Sequence, residues 1–163
     1  MRTRSFVRLL SCLVLALCLY ANPPANAATA EEEVLQVLTD WTKSYATADF
    51  KLWSSLHWNS SKTSAFAPPK SSAFLTQGYE AILNGMKSVF EYPAGTYVCS
   101  VHNPQVTMLG DNIAIITFYQ IFTINPPAVK EQTIEQQRVT FVVQKIGGKW
   151  LMVHDHGSYL PTE

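Results

Sequence analysis

The sequence predicts an α+β domain with three N-terminal helices packed on a curved, mainly antiparallel sheet. Within residues 31–56 and 78–90, apolar side chains recur every three or four positions, which is the spacing of amphipathic helices. From residue 96 onward, short runs rich in Val, Ile, Phe and Thr are separated by turns of Gly, Asn and Pro. Because the helices precede the strands, we expect the helices to lie on one face of a meander of antiparallel strands.

Residues 1–27 predict a secretory signal peptide. Arg2, Arg4 and Arg8 form a basic region, the stretch from Phe6 to Tyr20 is mostly apolar, and Ala25-Asn26-Ala27 fits a small-x-small cleavage site. The alternatives are an uncleaved membrane anchor, for which the run is short, and lipidation at Cys12. Cleavage after Ala27 would leave one domain, residues 28–163. We expect that domain to be exported to the periplasm or the cell exterior and to have no membrane attachment.

Composition after Ala27 narrows the function classes. All 12 acidic residues and nine of the 12 basic ones lie there, which leaves a net charge of −3. Without a basic run, neither nucleic acid nor an anionic membrane is an expected partner. Cys99 is the only cysteine left, which excludes an intramolecular disulfide and a Cys-rich zinc site. We expect Cys99 to be a small buried residue, with a nucleophile as the alternative, and we expect no cofactor.

The helices are predicted from their apolar spacing and their caps. Thr29 is a candidate N-cap for the first helix, residues 31–47, and Asp49 for the second, Phe50 to Leu56. A loop follows, with a short strand near Thr63–Ala67 as one reading. The third helix is expected from Gly78 to Phe90.

Four long strands are predicted after the helices. The run from Ile113 to Ile124 is apolar on both faces, which is typical of a central strand. The predicted strands are Thr96–Met108, Ile113–Ile124, Thr133–Lys145 and Lys149–Tyr159.

The last strand carries the side chains of most chemical interest. If its residues alternate regularly between two faces, the first face carries Trp150, Met152, His154, His156 and Ser158. The other face then carries Leu151, Val153 and Asp155. We therefore expect the two histidines to face a half-apolar, half-polar cavity.

Three stretches resemble the nuclear transport factor 2-like superfamily, in particular its SnoaL-like domains and the association domain of calcium/calmodulin-dependent kinase II. The helix-1 aromatics run into Ala48-Asp49, a strand begins Arg138-Val139-Thr140, and Gly148-Lys149-Trp150 leads to Val153-His154-Asp155-His156. The resemblance covers nearly all of the chain after Ala27. It implies a cone-shaped fold, a pocket between sheet and helices, and dimerisation, often through the outer face of the sheet.

Two helical residues are candidates for catalysis. In ketosteroid isomerases, which are similar in layout, a carboxylate base lies near the region of His57, and His57 could serve as a base here. The alternative is a histidine at a helix C-terminus that contacts only water. Tyr45 could donate its hydroxyl to a ligand oxygen, or it and Trp41 could be ordinary core aromatics. These isomerases also need a buried acid on the penultimate strand, and Val139 to Val143 offers none.

The strand residues are candidates for ligand binding. By resemblance to the kinase association domain, Arg138 would clamp a small carboxylate, and the alternative is an ion pair with Glu135 or Glu131. His154 and His156 could face a ligand, hydrogen-bond within the sheet, or bind a metal. A metal would need His102, His57 or Asp155 as a third ligand, so no metal site is expected.

Three functional hypotheses remain open. The first is a small-molecule-binding homodimer whose pocket holds an organic, possibly anionic, ligand through Trp41, Tyr45, His57, Arg138, His154 and His156. The second is a cofactor-free lyase, isomerase or hydrolase with His57 as base and Tyr45 or a histidine as acid. The third is a structural dimer, with an interface on Leu151 and Val153 and on the central-strand alternates Ile116, Phe118 and Phe122.

Overall fold

The fold is that of a computed structural model that describes residues 28–66, 75–125 and 132–161. The predicted signal peptide lies outside these residues. In chain order the elements are α1 (Ala30–Thr47), α2 (Phe50–Ser55), β1 (Ser64–Phe66), β2 (Thr76–Gln77), α3 (Tyr79–Met86), β3 (Tyr97–Met108), β4 (Ile113–Ile124), β5 (Thr133–Ile146) and β6 (Lys149–Tyr159). No helix among the described residues is both long and apolar enough to span a membrane.

Both predicted caps start their helices. Thr29 Oγ1 accepts a hydrogen bond from the Glu32 backbone N–H, and the Glu32 carboxylate accepts one from Thr29 N–H, forming a capping box. Asp49 Oδ1 accepts from Leu52 N–H at 2.8 Å. Helix α1 ends at Ala48, whose φ of 52° is left-handed and stops the helix. The short α2 can therefore begin at once and turn back toward the sheet.

The six strands form one sheet in the order β2-β1-β6-β5-β4-β3. Strands β3 to β6 form the predicted antiparallel meander. The short strand near Thr63–Ala67 exists as β1 and pairs in parallel with β6, while β2 was not predicted. The α-helical part of the third helix is shorter than predicted, because a 3-10 turn, Lys87–Glu91, replaces its last residues.

The core lies between α1 and the helix-facing side of the sheet. Strand residues Ile116, Phe141, Val143 and Met152 are essentially inaccessible to solvent and pack on the buried face of α1. The ring of Trp41 makes edge-to-face contacts with Phe118 and Phe141, at centroid distances of 6.1 and 5.2 Å. Aromatic packing of this kind stabilises the domain without disulfides.

A β-bulge in β6 makes the predicted regular alternation wrong. Val143 pairs with Met152, but the preceding residue of β5, Val142, pairs with His154, so Val153 has no partner in this ladder. One extra residue in a strand reverses the facing of every residue after it. Trp150 and Met152 therefore face the helices, whereas His154 faces outward.

The consequences of the bulge extend to the end of the strand. Asp155 lies opposite Phe141 and shares its helix-facing side, and His156 and Ser158 lie opposite the outward residues Thr140 and Arg138. The predicted dimer surface also changes, because Ile116 and Phe118 are buried beneath α1 and Phe122 packs against the same core. These three residues cannot form an external interface.

Candidate functional site

The functional candidates divide between the two faces of the sheet. On the helix side lies the interior cluster, defined as Tyr45, His57 and Asp155. On the opposite side lies the outer groove, a depression of about 640 Å³ over strands β3 to β6. Of the six residues predicted to bind a ligand, the structure puts Trp41, Tyr45 and His57 on the first side and Arg138, His154 and His156 on the second.

His57 is buried, with 5% of its surface exposed, so the alternative of a histidine that contacts only water is wrong. Its Nδ1 lies 3.0 Å from the Trp53 carbonyl oxygen. Since a carbonyl can only accept, Nδ1 carries the proton and donates it. Nε2 is then unprotonated and can only accept a hydrogen bond, and it has no hydrogen-bond partner among the described residues. Burial lowers the pKa of His57 to about 4, which keeps the ring neutral.

Tyr45 is buried in an aromatic environment at the C-terminal end of α1. Its ring contacts Trp41, Phe90 and Phe122 at centroid distances of 5.0 to 5.2 Å. Burial raises the pKa of the Tyr45 hydroxyl, and the nearby Asp155 carboxylate raises it further. The Trp53 indole N–H has no hydrogen-bond partner of good geometry among the described residues. It lies near enough to the Tyr45 hydroxyl to lower the pKa of that hydroxyl slightly, against the effect of burial. Tyr45 is thus a neutral hydroxyl donor close to Asp155.

Asp155 is the site residue that the sequence reasoning missed. Regular alternation assigned it to the face away from the pocket, and the bulge at Val153 turns it inward beside Phe141 and Ala65. Burial raises its pKa from 3.8 to about 7. The residue nevertheless retains part of its accessible surface. The only signal in the sequence was a carboxylate between two histidines within a predicted strand.

Cys99 is buried, as predicted. Burial raises the pKa of its thiol to about 12, so the thiolate that a nucleophile requires is scarce at neutral pH. The alternative of a nucleophilic Cys99 is therefore not favoured.

Arg138 lines the outer groove and is exposed. Its Nε donates to Ser158 Oγ at 3.1 Å, and Tyr119 is its neighbour on β4. The ten residues that line the groove include no carboxylate; the polar ones are Asn103, Gln105, Thr117, Tyr119, Arg138, Thr140, His156 and Ser158. Arg138 is therefore separated by the sheet from the interior cluster.

Of the two histidines of β6, His156 lines the outer groove, and His154 lies two residues before it on the same face of the sheet. His154 Nδ1 is 2.8 Å from Ser64 Oγ, which links β6 to β1, and the Phe66 ring lies 5.7 Å from each imidazole. Burial, and then the neighbouring His156, lower the pKa of His154. The contact between His154 and Ser64 favours the alternative in which the histidines form hydrogen bonds within the sheet. Across residues 28–66, 75–125 and 132–161, no group of three His, Cys, Asp or Glu is placed to hold a metal.

A second depression, of about 460 Å³, lies between α1 and the β5–β6 hairpin. Trp150 and Glu33 line it, and neither it nor the outer groove is lined by Tyr45 or His57. The chemistry that was predicted as one site therefore occupies at least two separate places.

Residues 30–161 match the profile of the calcium/calmodulin-dependent protein kinase II association domain. The chain belongs to this family. That match spans all the described secondary structure of the association domain, from α1 to β6. No match was found among curated proteins.

Solved structures share the fold of this association domain. A candidate association domain from Xanthomonas campestris is 22% identical, with a TM-score of 0.68, over 88% of this chain and 95% of that one. The association domain of the Caenorhabditis elegans kinase is 19% identical, with a TM-score of 0.63, over 78% and 94%. A candidate dehydratase of the NTF2-like family from Streptomyces avermitilis is 16% identical, with a TM-score of 0.69, over 81% and 97%.

The family match, together with these structures, confirms the predicted superfamily and the α+β fold. At identities of 22% or less the solved structures by themselves establish the fold alone, because this scaffold supports both enzymes and non-catalytic domains. Function has to be argued from the residues of this association domain.

Proposed function

We propose that this domain binds a small organic molecule between its helices and its sheet, with Tyr45, His57 and Asp155 as polar contacts and Trp41 as part of the apolar wall. The observation that carries the proposal is His57 Nε2, a buried acceptor without a partner among the described residues. Buried polar atoms are almost always hydrogen-bonded, so a bound molecule accounts for this one.

Asp155 supports the same proposal. Its carboxyl is surrounded closely enough for burial to raise the pKa to about 7, yet the residue keeps accessible surface. A carboxyl at the edge of the apolar core is available to hydrogen-bond a molecule that enters between helices and sheet. The earlier idea of an anionic ligand clamped by Arg138 is weakened, because Arg138 lies on the outer face.

A fragment screen by thermal shift tests the binding proposal on the chain without residues 1–27. A ligand that binds the folded state raises the melting temperature by mass action. We expect at least one fragment to act on the wild type and to lose its effect in His57→Asn and Asp155→Asn. The matched control is His102→Asn, which alters an outward strand residue. Binding that survives both interior substitutions would contradict the proposal.

A cofactor-free lyase or isomerase is the second candidate, with Asp155 replacing His57 as the expected base. A base with a pKa near 7 is well matched to neutral pH, whereas His57 at about 4 is a weak one. Tyr45 would stabilise the oxyanion. Exchange of the α-protons of cyclohexanone in D₂O, followed by NMR, is the test. We expect the wild type to accelerate this exchange and both Asp155→Asn and Tyr45→Phe to abolish the acceleration. Wild-type exchange no faster than that in buffer would count against this candidate.

We further propose that the domain is a homodimer joined through the outer face of the sheet. Association-domain relatives form oligomeric hubs, and this face exposes Val98, Tyr119 and Ile134 to 40%, 51% and 57%. Leu151, which pairs with Gln144, also lies on this face, and Val153 is the extra residue of the bulge. In sedimentation at micromolar concentration, Tyr119→Asp should yield monomers, whereas Leu109→Asp, at an exposed turn, should leave the dimer intact. A monomeric wild type would refute the dimer.

Export is the remaining part of the proposal. The basic residues and the apolar run before Ala27 support secretion through the general pathway. Mass spectrometry of the protein recovered outside the cytoplasm should find Ala28 at its N-terminus. Protein that keeps residues 1–27 and stays with the cytoplasmic fraction would contradict it.

A further inference from the structure

We infer that the interior site takes an uncharged molecule that donates a hydroxyl or N–H hydrogen bond to His57 Nε2. This inference rests on the proposed function and specifies the chemical class of its ligand. It depends on the tautomer of His57 and on the arrangement of charges around the interior cluster.

The tautomer follows from one distance. His57 Nδ1 is 3.0 Å from the Trp53 carbonyl oxygen, which has no proton to offer, so the ring proton belongs to Nδ1. The Trp53 ring packs on the imidazole at a centroid distance of 4.1 Å and holds its orientation. Nε2 can therefore only accept, and its partner must be a donor.

Charges around the interior cluster disfavour an anionic ligand. The two basic residues of β5 are engaged elsewhere, Arg138 in the outer groove and Lys145 with Glu33 at 2.6 Å. The ionisable interior-facing group of β6 is the Asp155 carboxyl, which would repel an anion when ionised. A buried anion without a paired cation is strongly destabilised.

A cationic ligand is disfavoured for a related reason. It would need a fixed negative charge, and burial leaves the Asp155 carboxyl protonated about as often as not near neutral pH. The other polar groups nearby, the Tyr45 hydroxyl and the His57 ring, are neutral. A neutral hydroxyl or N–H group can donate to His57 Nε2 without a charge being buried.

Four probes of similar size test the inference on the chain without residues 1–27: phenol, toluene, benzoate and benzylamine. Affinities come from NMR titration of the Trp53 indole N–H, which adjoins His57. We expect phenol to bind roughly three- to tenfold more tightly than toluene, the usual net effect of one hydrogen bond. Benzoate and benzylamine should bind more weakly than phenol.

Paired variants assign the effect to Nε2. In His57→Asn the amide nitrogen can still donate to the Trp53 carbonyl but the Nε2 acceptor is gone, so the preference for phenol over toluene should disappear. His57→Gln retains a polar atom near the Nε2 position and should keep part of the preference. Circular dichroism melts verify that both variants fold.

The outcomes separate this inference from the proposed function. Benzoate or benzylamine binding at least as tightly as phenol would overturn the ligand class while leaving the interior site standing. An unchanged phenol preference in His57→Asn would overturn the role of Nε2. Failure of all four probes to bind would overturn both.

Discussion

The Trp150 indole N–H donates to Glu33 Oε2 at 2.9 Å and thereby ties the first turn of α1 to the β5–β6 hairpin. Lys145 Nζ donates to the same oxygen at 2.6 Å and also lies 5.8 Å from the Trp150 ring centroid. Together these contacts hold the N-terminal end of the first helix over the sheet. The carboxylate is also well placed near the helix N-terminus.

Trp150→Phe should lower the free energy of unfolding by about 1–3 kcal/mol, because a hydrogen bond and part of a buried ring are lost together. Urea denaturation measures the change. The control is Trp58→Phe, since Trp58 is only half-buried. An equal loss in both variants would argue against a special role for the tether.

Glu33 should make the free energy of unfolding decrease as the pH falls into the acid range. Its hydrogen bonds to Lys145 and then Trp150 lower its pKa below 4.5. The unfolded state therefore takes up the proton first, so the contribution is present above pH 4.5 and is lost as the pH falls through the folded pKa. In urea melts between pH 3 and 6, Glu33→Gln should show a smaller acid-side loss than wild type. Parallel curves would contradict this.

His57 should destabilise the fold as the pH falls. Its pKa is about 4 in the folded state, against an ordinary value of 6.5. Between these values the unfolded chain binds more protons, so stability should decline from pH 6.5 to pH 4 by on the order of 3 kcal/mol. His57→Gln removes this titration, and the measured decline should shrink. Because Asp155 acts in the opposite sense, the comparison is best made in an Asp155→Asn background.

Asp155→Asn should stabilise the domain at pH 8. The folded pKa of Asp155 is about 7, against 3.8, so its favourable contribution is complete below pH 3.8 and is lost as the pH rises through 7. Replacing it with a neutral amide should raise the free energy of unfolding by on the order of 2 kcal/mol at pH 8 and by little at pH 4. An effect that is the same at both pH values would show that burial of the carboxylate is not the cause.

Deletion of Val153 tests the facing of β6. Because Val153 is the extra residue of the bulge, its removal should leave Met152 and Asp155 inward and His154 outward. Leu151 lies in regular register with Gln144, so its deletion should instead turn the side chains on one side of the deletion to the opposite face of the sheet. We expect deletion of Leu151 to cost at least about 2 kcal/mol more in urea melts. Equal costs would contradict the assignment.

The sequence by itself determined the architecture of this protein. Helix spacing, the caps Thr29 and Asp49 and the order of strands β3 to β6 depend on interactions between near neighbours, so they can be read from local pattern. The association-domain resemblance could be recognised for the same reason, since its motifs are local runs such as Gly148-Lys149-Trp150.

Only the tertiary structure decided which side chains share a site. The bulge at Val153 forms where the neighbour of β6 changes from residues 56–58 to β1, a long-range event with no local signal. A single unpaired residue moved His154 and His156 out of the interior and brought Asp155 into it. Strand facing has a period of two, so one extra residue leaves the fold intact and exchanges the chemistry of its two faces.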